Sequence, residues 1–201
     1  MRLTFLGTGT SFGVPVVGCT CAVCTSGDAR NRRSRHGLLL EADTGTLLID
    51  TPPELRLQLL AADVSHIDAV YLTHTHADHT HGIDDLRVFS VHGRSSLPFH
   101  VASEYEQDLR DRFAYLLGQS AISQPGTTIP GVELKTFEDR DLIEPAGIPM
   151  QVIGFPHGNR QSYGFRTGKL AVIVDAKQVP DDVWSLLAGV ETLVINALWF
   201  G

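Results

Sequence analysis

The sequence predicts an α+β fold in which mixed sheets pack on each other and helices lie outside. Three observations carry that prediction. Short apolar runs of strand length, rich in β-branched residues, recur along the chain. Two gaps between them read as hairpin turns, Asp43-Thr44-Gly45 and Thr167-Gly168. Helical patterns are interspersed among the runs, which suits layered sheets with outer helices.

The elements follow in order. Strands are expected at 2–6, 37–42, 46–50, 68–72, 98–102, 132–137, 149–155, 162–166, 169–174 and 191–196. Helices are expected at 53–62, 83–92, 103–117 and 180–187. Pro53 and Pro180 suit early helical positions, where a missing N–H costs nothing. Ser103 followed by Glu106 reads as a capping box. Residues 118–131, rich in Gly, Ser, Gln, Pro and Thr, read as a flexible loop. No internal repeat or low-complexity tract divides the chain. It is expected to be one domain over 1–201, with 7–36 as a Gly/Cys/Arg-rich loop.

Composition narrows the class. The chain of 201 residues is 43% hydrophobic and 19% charged, an ordinary soluble composition with room for a buried core. A net charge of −7 argues against a general nucleic-acid footprint. Residues 1–6 read as a strand and lack the apolar core of a signal peptide. No apolar run reaches membrane-spanning length, so a cytoplasmic location and no membrane partner are expected. All three cysteines lie between 19 and 24. An odd number, clustered, favours metal or free thiols over disulfides.

The chemistry concentrates in His74-Thr75-His76-Ala77-Asp78-His79, directly after the apolar run at 68–72. Imidazole and carboxylate are preferred ligands of zinc and its neighbours. In extended backbone residues i and i+2 point the same way, so His74 and His76 can grip one ion. A turn at Ala77 would aim Asp78 and His79 at a second. Two metals about 3.5–4 Å apart can activate water between them. His157 follows the run at 149–155 and can add an imidazole. Asp175 follows 169–174 and can bridge two ions. Asp50, after 46–49, either orients a ligand histidine from behind or starts the next turn. His81 is either such a supporting residue or solvated. Asp84 and Asp85 suit the start of a helix. Arg30, Arg32, Arg33 and Arg35 can contact phosphate, since guanidinium forks match its oxygens. Cys19-x-Cys21-x-x-Cys24 has a spacing that can wrap one structural zinc. His36, His66, His92 and His100 fit no pattern.

The order Leu48-Ile49-Asp50-Thr51, then 73–79, then His157, then Asp175 resembles the metallo-β-lactamase superfamily over almost the whole chain. The resemblance implies an αββα four-layer sandwich with a two-metal site at one edge. It implies that His74, His76 and His157 hold one ion, that Asp78 and His79 help hold the second, and that Asp175 bridges. The cysteine block, with Gly82-Ile83-Asp84-Asp85-Leu86-Arg87, resembles the branch of phosphoribosyl 1,2-cyclic phosphate phosphodiesterase and, more distantly, pyrroloquinoline-quinone biosynthesis protein B. That branch implies a structural zinc on Cys19, Cys21 and Cys24, and a homodimer.

The branch pattern continues past Gly201 with histidines that would complete both metal sites. A C-terminally incomplete fold is therefore expected, with an under-liganded second position and with Trp199 and Phe200 left exposed. The expected function is a metal-dependent phosphodiesterase acting on a small cyclic phosphodiester through metal-bound hydroxide, with two site metals (Zn or Mn) and one structural Zn. Asp78 is its candidate catalytic residue. The alternatives within the fold are an RNA-processing nuclease and a thioester or lactone hydrolase. From another class, the alternative is a non-catalytic metal- or partner-binding module.

Overall fold

The computed structural model describes residues 1–89, 96–117 and 131–196. The expected loop at 118–131 falls almost wholly outside them, as do Trp199 and Phe200. Two sheets form the body of the molecule. The first is six-stranded in the order β1 (Arg2–Gly7), β2 (Gly37–Ala42), β3 (Gly45–Ile49), β4 (Ala69–Tyr71), β5 (Leu97–Ala102) and β6 (Val132–Phe137). Its first three strands run antiparallel, and β3 to β6 run parallel. The second is five-stranded in the order β11 (Thr192–Ile195), β10 (Leu170–Ile173), β9 (Arg160–Thr167), β8 (Met150–His157) and β7 (Leu142–Ile143). Its pairs are antiparallel except β10 with β11.

The expected strands therefore all form, and β7 is added to them. Two residues are too few to show a period, so β7 had no legible pattern. The central strands β3 and β4 read as unbroken apolar runs because both faces are covered. Leu47, Leu48 and Ile49 are all fully buried, as are Val70, Tyr71 and Leu72. The main core includes Leu38, Leu48, Phe99, Val152, Phe165 and Val172, drawn from both sheets. Tyr71 ties the sheets together. Its hydroxyl donates across the core to the carbonyls of Tyr163 (3.1 Å) and Gly164 (3.2 Å). A second cluster of Ile153, Phe155, Ile173 and Val183 joins the second sheet to a short helix.

The helices are shorter than the sequence suggests. Those with both ends among the described residues are α1 (Leu55–Ala61), α2 (Ala77–Thr80), α3 (Ser103–Arg112), α4 (Ala114–Leu117) and α5 (Val183–Leu186). The expected helix at 103–117 breaks at Phe113, whose φ/ψ of −115/43 is not helical. The segment 83–92 opens as a tight 3-10 turn, Ile83–Leu86, and is α-helical at 87–89, and residues 90–92 lie outside the described ones. The capping box does not form. Ala102 occupies the cap position, and the Ser103 hydroxyl bonds the Glu138 carboxylate instead. No helix among the described residues is long and apolar enough to cross a membrane.

Candidate metal centre

The site lies where strands of both sheets end. Asp50 follows β3, His74 follows β4 by a short loop, His157 ends β8, Asp175 follows β10 and Asn196 follows β11. Asp50 and Asp175 have left-handed backbones, with φ of 63° and 54°. Aspartate tolerates that region better than most residues, and such strain concentrates at functional sites.

The segment after β4 is pinned from behind. Fully buried Asp50 accepts the Thr73 N–H at 2.8 Å and the His79 Nδ1–H at 2.7 Å. The Thr73 hydroxyl lies 2.9 Å from Asp50 Oδ2 and 3.0 Å from His74 Nδ1. Both histidines therefore anchor Nδ1 on Asp50, directly or through Thr73, and turn Nε2 into the site. A backbone bond from Thr51 N to the His79 carbonyl (2.8 Å) and one from Gly82 N to the Thr51 carbonyl (2.8 Å) hold α2 against the same loop. Gly82 is required there, because a Cβ would meet the Pro52 carbonyl at 2.1 Å.

Three imidazoles converge in front. His74 Nε2 and His157 Nε2 each lie 3.1 Å from His76 Nδ1. Beside them His79 Nε2 faces Asp175 Oδ2 at 3.2 Å and Asp78 Oδ2 at 3.4 Å, and His74 Nε2 is 3.6 Å from Asp175. The sets His74/His76/His157 and His74/His79/Asp175 each place their donor atoms within 4.8 Å of one another. Tetrahedral zinc with bonds of about 2.0–2.1 Å holds its donors about 3.3 Å apart. The observed spacings fit that ion. Asp175 Oδ2 thus reaches both His79 and His74, the residue the two sets share, and its other oxygen accepts from Asn196 Nδ2 at 2.6 Å.

Electrostatics agree with this layout. Burial and the neighbouring imidazoles, His79 first, push His74 far below its ordinary range, so it is neutral with a free lone pair. Burial and His157 lower His76 in the same direction. For His79 burial acts downward, but Asp50, Asp175 and Asp78 outweigh it and raise its proton affinity well above normal. Burial acts to raise Asp78, yet His79 overrides it and holds the carboxyl down to about 2. Asp175 is lowered for the same reason against the same burial. The carboxylates are thus charged and gathered round a proton that a metal can replace.

A cleft of about 390 Å³ opens in front of Asp78 and His79, lined also by Thr8, Ser11, Arg33 and His36. Of the four arginines, Arg33 alone lines it. Arg30 is exposed and paired with Asp28 at 2.6 Å. Arg35 is bound to the Ser11 carbonyl (2.8 Å) and to Glu54. Arg32 is exposed beside a 3-10 turn. His81 is also exposed, its ring 6.1 Å from that of Phe113, and it joins neither set of donors. Asp84 and Asp85 sit in the 3-10 turn, where Asp84 accepts from the Tyr115 hydroxyl at 3.1 Å. The sulfurs of Cys19, Cys21 and Cys24 cluster within 4.8 Å. Donors from the Cys24 N–H and from Cys19 lower Cys21 to about 7, which favours the thiolate a metal needs.

Two supporting residues escaped the sequence. His36 lies 3.5 Å from Asp50 Oδ2, its ring 5.5 Å from that of His79. Asn196 both accepts from Asp175 N (3.0 Å) and donates to its carboxylate. Its one legible signal is position. Asp175 and Asn196 both follow the C-terminal ends of neighbouring strands, where Ile173 pairs with Ile195.

A family model described as the beta-lactamase superfamily domain matches residues 46–200. The chain belongs to that superfamily, with the metallo-β-lactamase fold. Within it the chain falls in the branch of a solved diphosphatase from the PhnP family. That structure is 36% identical, has a TM-score of 0.82, and matches over 95% of this chain and 72% of its own. A curated octanoyltransferase of Porphyromonas gingivalis is 35% identical over 98% of this chain but only 39% of its own length. A ribonuclease Z of Myxococcus xanthus is 30% identical over 78% of this chain and 44% of its own. The chain thus spans less than half of either curated relative.

Proposed function

We propose that this chain is a metal-dependent hydrolase that cleaves a small phosphodiester, cyclic or otherwise strained. One observation carries the reading: two donor sets, His74/His76/His157 and His74/His79/Asp175, share His74 beside a cleft lined by Asp78 and Arg33. His74, His76 and His157 would hold one ion, and Asp78 and His79 the second, with Asp175 between them. Zinc and manganese both suit this mixture of nitrogen and oxygen donors, and Cys19, Cys21 and Cys24 suit a structural zinc. Divalent ions there would lower the pKa of a bound water towards about 7 and offset charge on the phosphate oxygens.

The chain's own residues do the rest. Asp78, ionised and half-buried at the cleft, orients the attacking water. Asp50 fixes the tautomers of His79 and, through Thr73, of His74. Arg33 offers its guanidinium to the phosphate. The diphosphatase and ribonuclease Z relatives support attack on phosphorus, whereas the octanoyltransferase relative bears an acyl-transfer name. A net charge of −7 favours a small substrate over RNA. The test is hydrolysis of bis(p-nitrophenyl) phosphate by protein loaded with zinc or manganese. Turnover is expected, with a loss of at least about 100-fold in His76→Ala, since an interaction worth about 2.7 kcal/mol or more is removed. Metal-replete protein inert towards a panel of phosphodiesters would refute the reading.

A further inference from the structure

The three imidazoles of the first ion's set come from two segments far apart in the sequence. His74 and His76 lie on the loop after β4, and His157 ends β8. The loop after β4 is tied to the second sheet at Thr73, whose carbonyl accepts from Tyr163 N at 2.8 Å, a tie that lies before His74 and not between the two loop histidines. His76 is exposed, and His157 leads into the turn Gly158-Asn159, both of whose residues are exposed. Helix α3 reaches both segments through its last turn.

Arg112 Nη1 donates to the carbonyl of Thr75, the residue between the two loop histidines. Arg112 Nε pairs with Asp108 Oδ1 at 2.9 Å, one turn back on the helix. Asp108 Oδ2 is buried, makes no hydrogen bond, and faces Arg160 Nη1 at 3.9 Å. Arg160 is the cross-strand partner of His157, and its guanidinium lies 5.2 Å from the ring centroid of Tyr105 on the same helix. A continuous chain of charge therefore runs from the Thr75 carbonyl through Arg112 and Asp108 to Arg160.

We propose that Arg112 and Asp108 are positioning residues, an ionic brace that sets the spacing of His74, His76 and His157. The side chains of Arg112, Asp108 and Arg160 are 40%, 22% and 46% exposed, so their ion pairs alone stabilise the fold little. The directional part is the charge-assisted bond to the Thr75 carbonyl, which sets the plane of the backbone between two ligands. Residues that orient ligands from behind typically alter metal affinity about 10–100-fold. The proposal rests on the metal reading of the site, and its test reads metal affinity instead of turnover.

The full chain, stripped of metal, is titrated with cobalt(II). Thiolate charge-transfer absorption reports the cysteine site, and weaker visible bands report the imidazole site. Arg112→Gln is expected to weaken cobalt binding at the imidazoles about 10–100-fold while the cysteine site binds as before. Asp108→Asn should weaken the same site, and the double variant should add little, because the two residues act as a unit. Arg112→Lys should restore part of the affinity. Binding by Arg112→Gln within threefold of the parent overturns the brace. So does equal weakening at both sites, absence of any recovery in Arg112→Lys, or a parent that takes no cobalt at the imidazoles. A parent that binds cobalt there yet cleaves no phosphodiester sinks the proposed function and leaves the brace standing.

Discussion

Asp50 shows how one residue can organise a site it does not enter. Its left-handed backbone turns the carboxylate inward, where it accepts from Thr73 and His79 with no exposure to solvent. Asp50→Ala would leave those donors unpaired and free both rings to rotate. A loss of about 10–100-fold in metal affinity is expected, measured by competition with a chromophoric chelator. His36 makes a second prediction at this scale. Burial lowers it to about 4, from an unfolded value near 6.5. It stays neutral in the native protein and gains a proton on unfolding in mild acid. Its contribution is therefore present above pH ~6.5 and is lost as pH falls towards 4. Urea titrations of metal-free protein should show stability falling with acidity over that window, by at most about 1.4 kcal/mol per pH unit from this group. His36→Asn should flatten the slope. An unchanged slope would show that His36 is not the group responsible. The contrast in legibility has a physical cause. His74, His76 and His79 announce themselves because local spacing aims them. His36 and Asn196 acquire roles only through partners that folding brings from other strands.

At the scale of elements, periodicity and covering decided what could be read. Strands buried on both faces, such as β3 and β4, appear as apolar runs, and the more exposed strands at the edges were still legible from composition and turns, apart from the two residues of β7. Helix ends were not. Ser103 has the chemistry of a cap, but Glu138 on the loop after β6 takes its hydroxyl, so tertiary contact replaced local capping. The second sheet is registered on the first partly by the Tyr71 hydroxyl, which serves two carbonyls of β9 from inside the core. Tyr71→Phe keeps the ring contacts with Phe137 and Phe165 and removes only those bonds. It should cost about 1–3 kcal/mol of unfolding free energy by urea denaturation, since buried carbonyls lose their donor. A cost near zero would mean that those carbonyls find other partners.

At the scale of the molecule, the two sheets are joined at their core and opposed at their edge. Strand ends from both bring Asp50, Asp78 and Asp175 to one place, in a protein of net charge −7. Close carboxylates repel, and in metal-free protein the His79 proton is the main relief. A divalent ion relieves the repulsion further, so chelation should lower the melting temperature and added zinc or manganese should restore it. A melting temperature indifferent to chelator would argue that no ion binds the native state. The clustering of His74, His76, His79, His157 and Asp175 could be read from sequence because strand ends deliver them in motif order. Which of Arg30, Arg32, Arg33 and Arg35 lines the cleft could not, because folding pairs Arg30 with Asp28 and Arg35 with Glu54 and brings Arg33 to its wall. The central claim, that this edge is a metal-dependent catalytic centre, is tested most directly by anomalous diffraction from crystals of the metal-loaded protein. The account predicts one ion among His74, His76 and His157, weaker occupancy among Asp78, His79 and Asp175, and a zinc on the three cysteines. Folded, metal-saturated protein with no anomalous peak between the three imidazoles would contradict it.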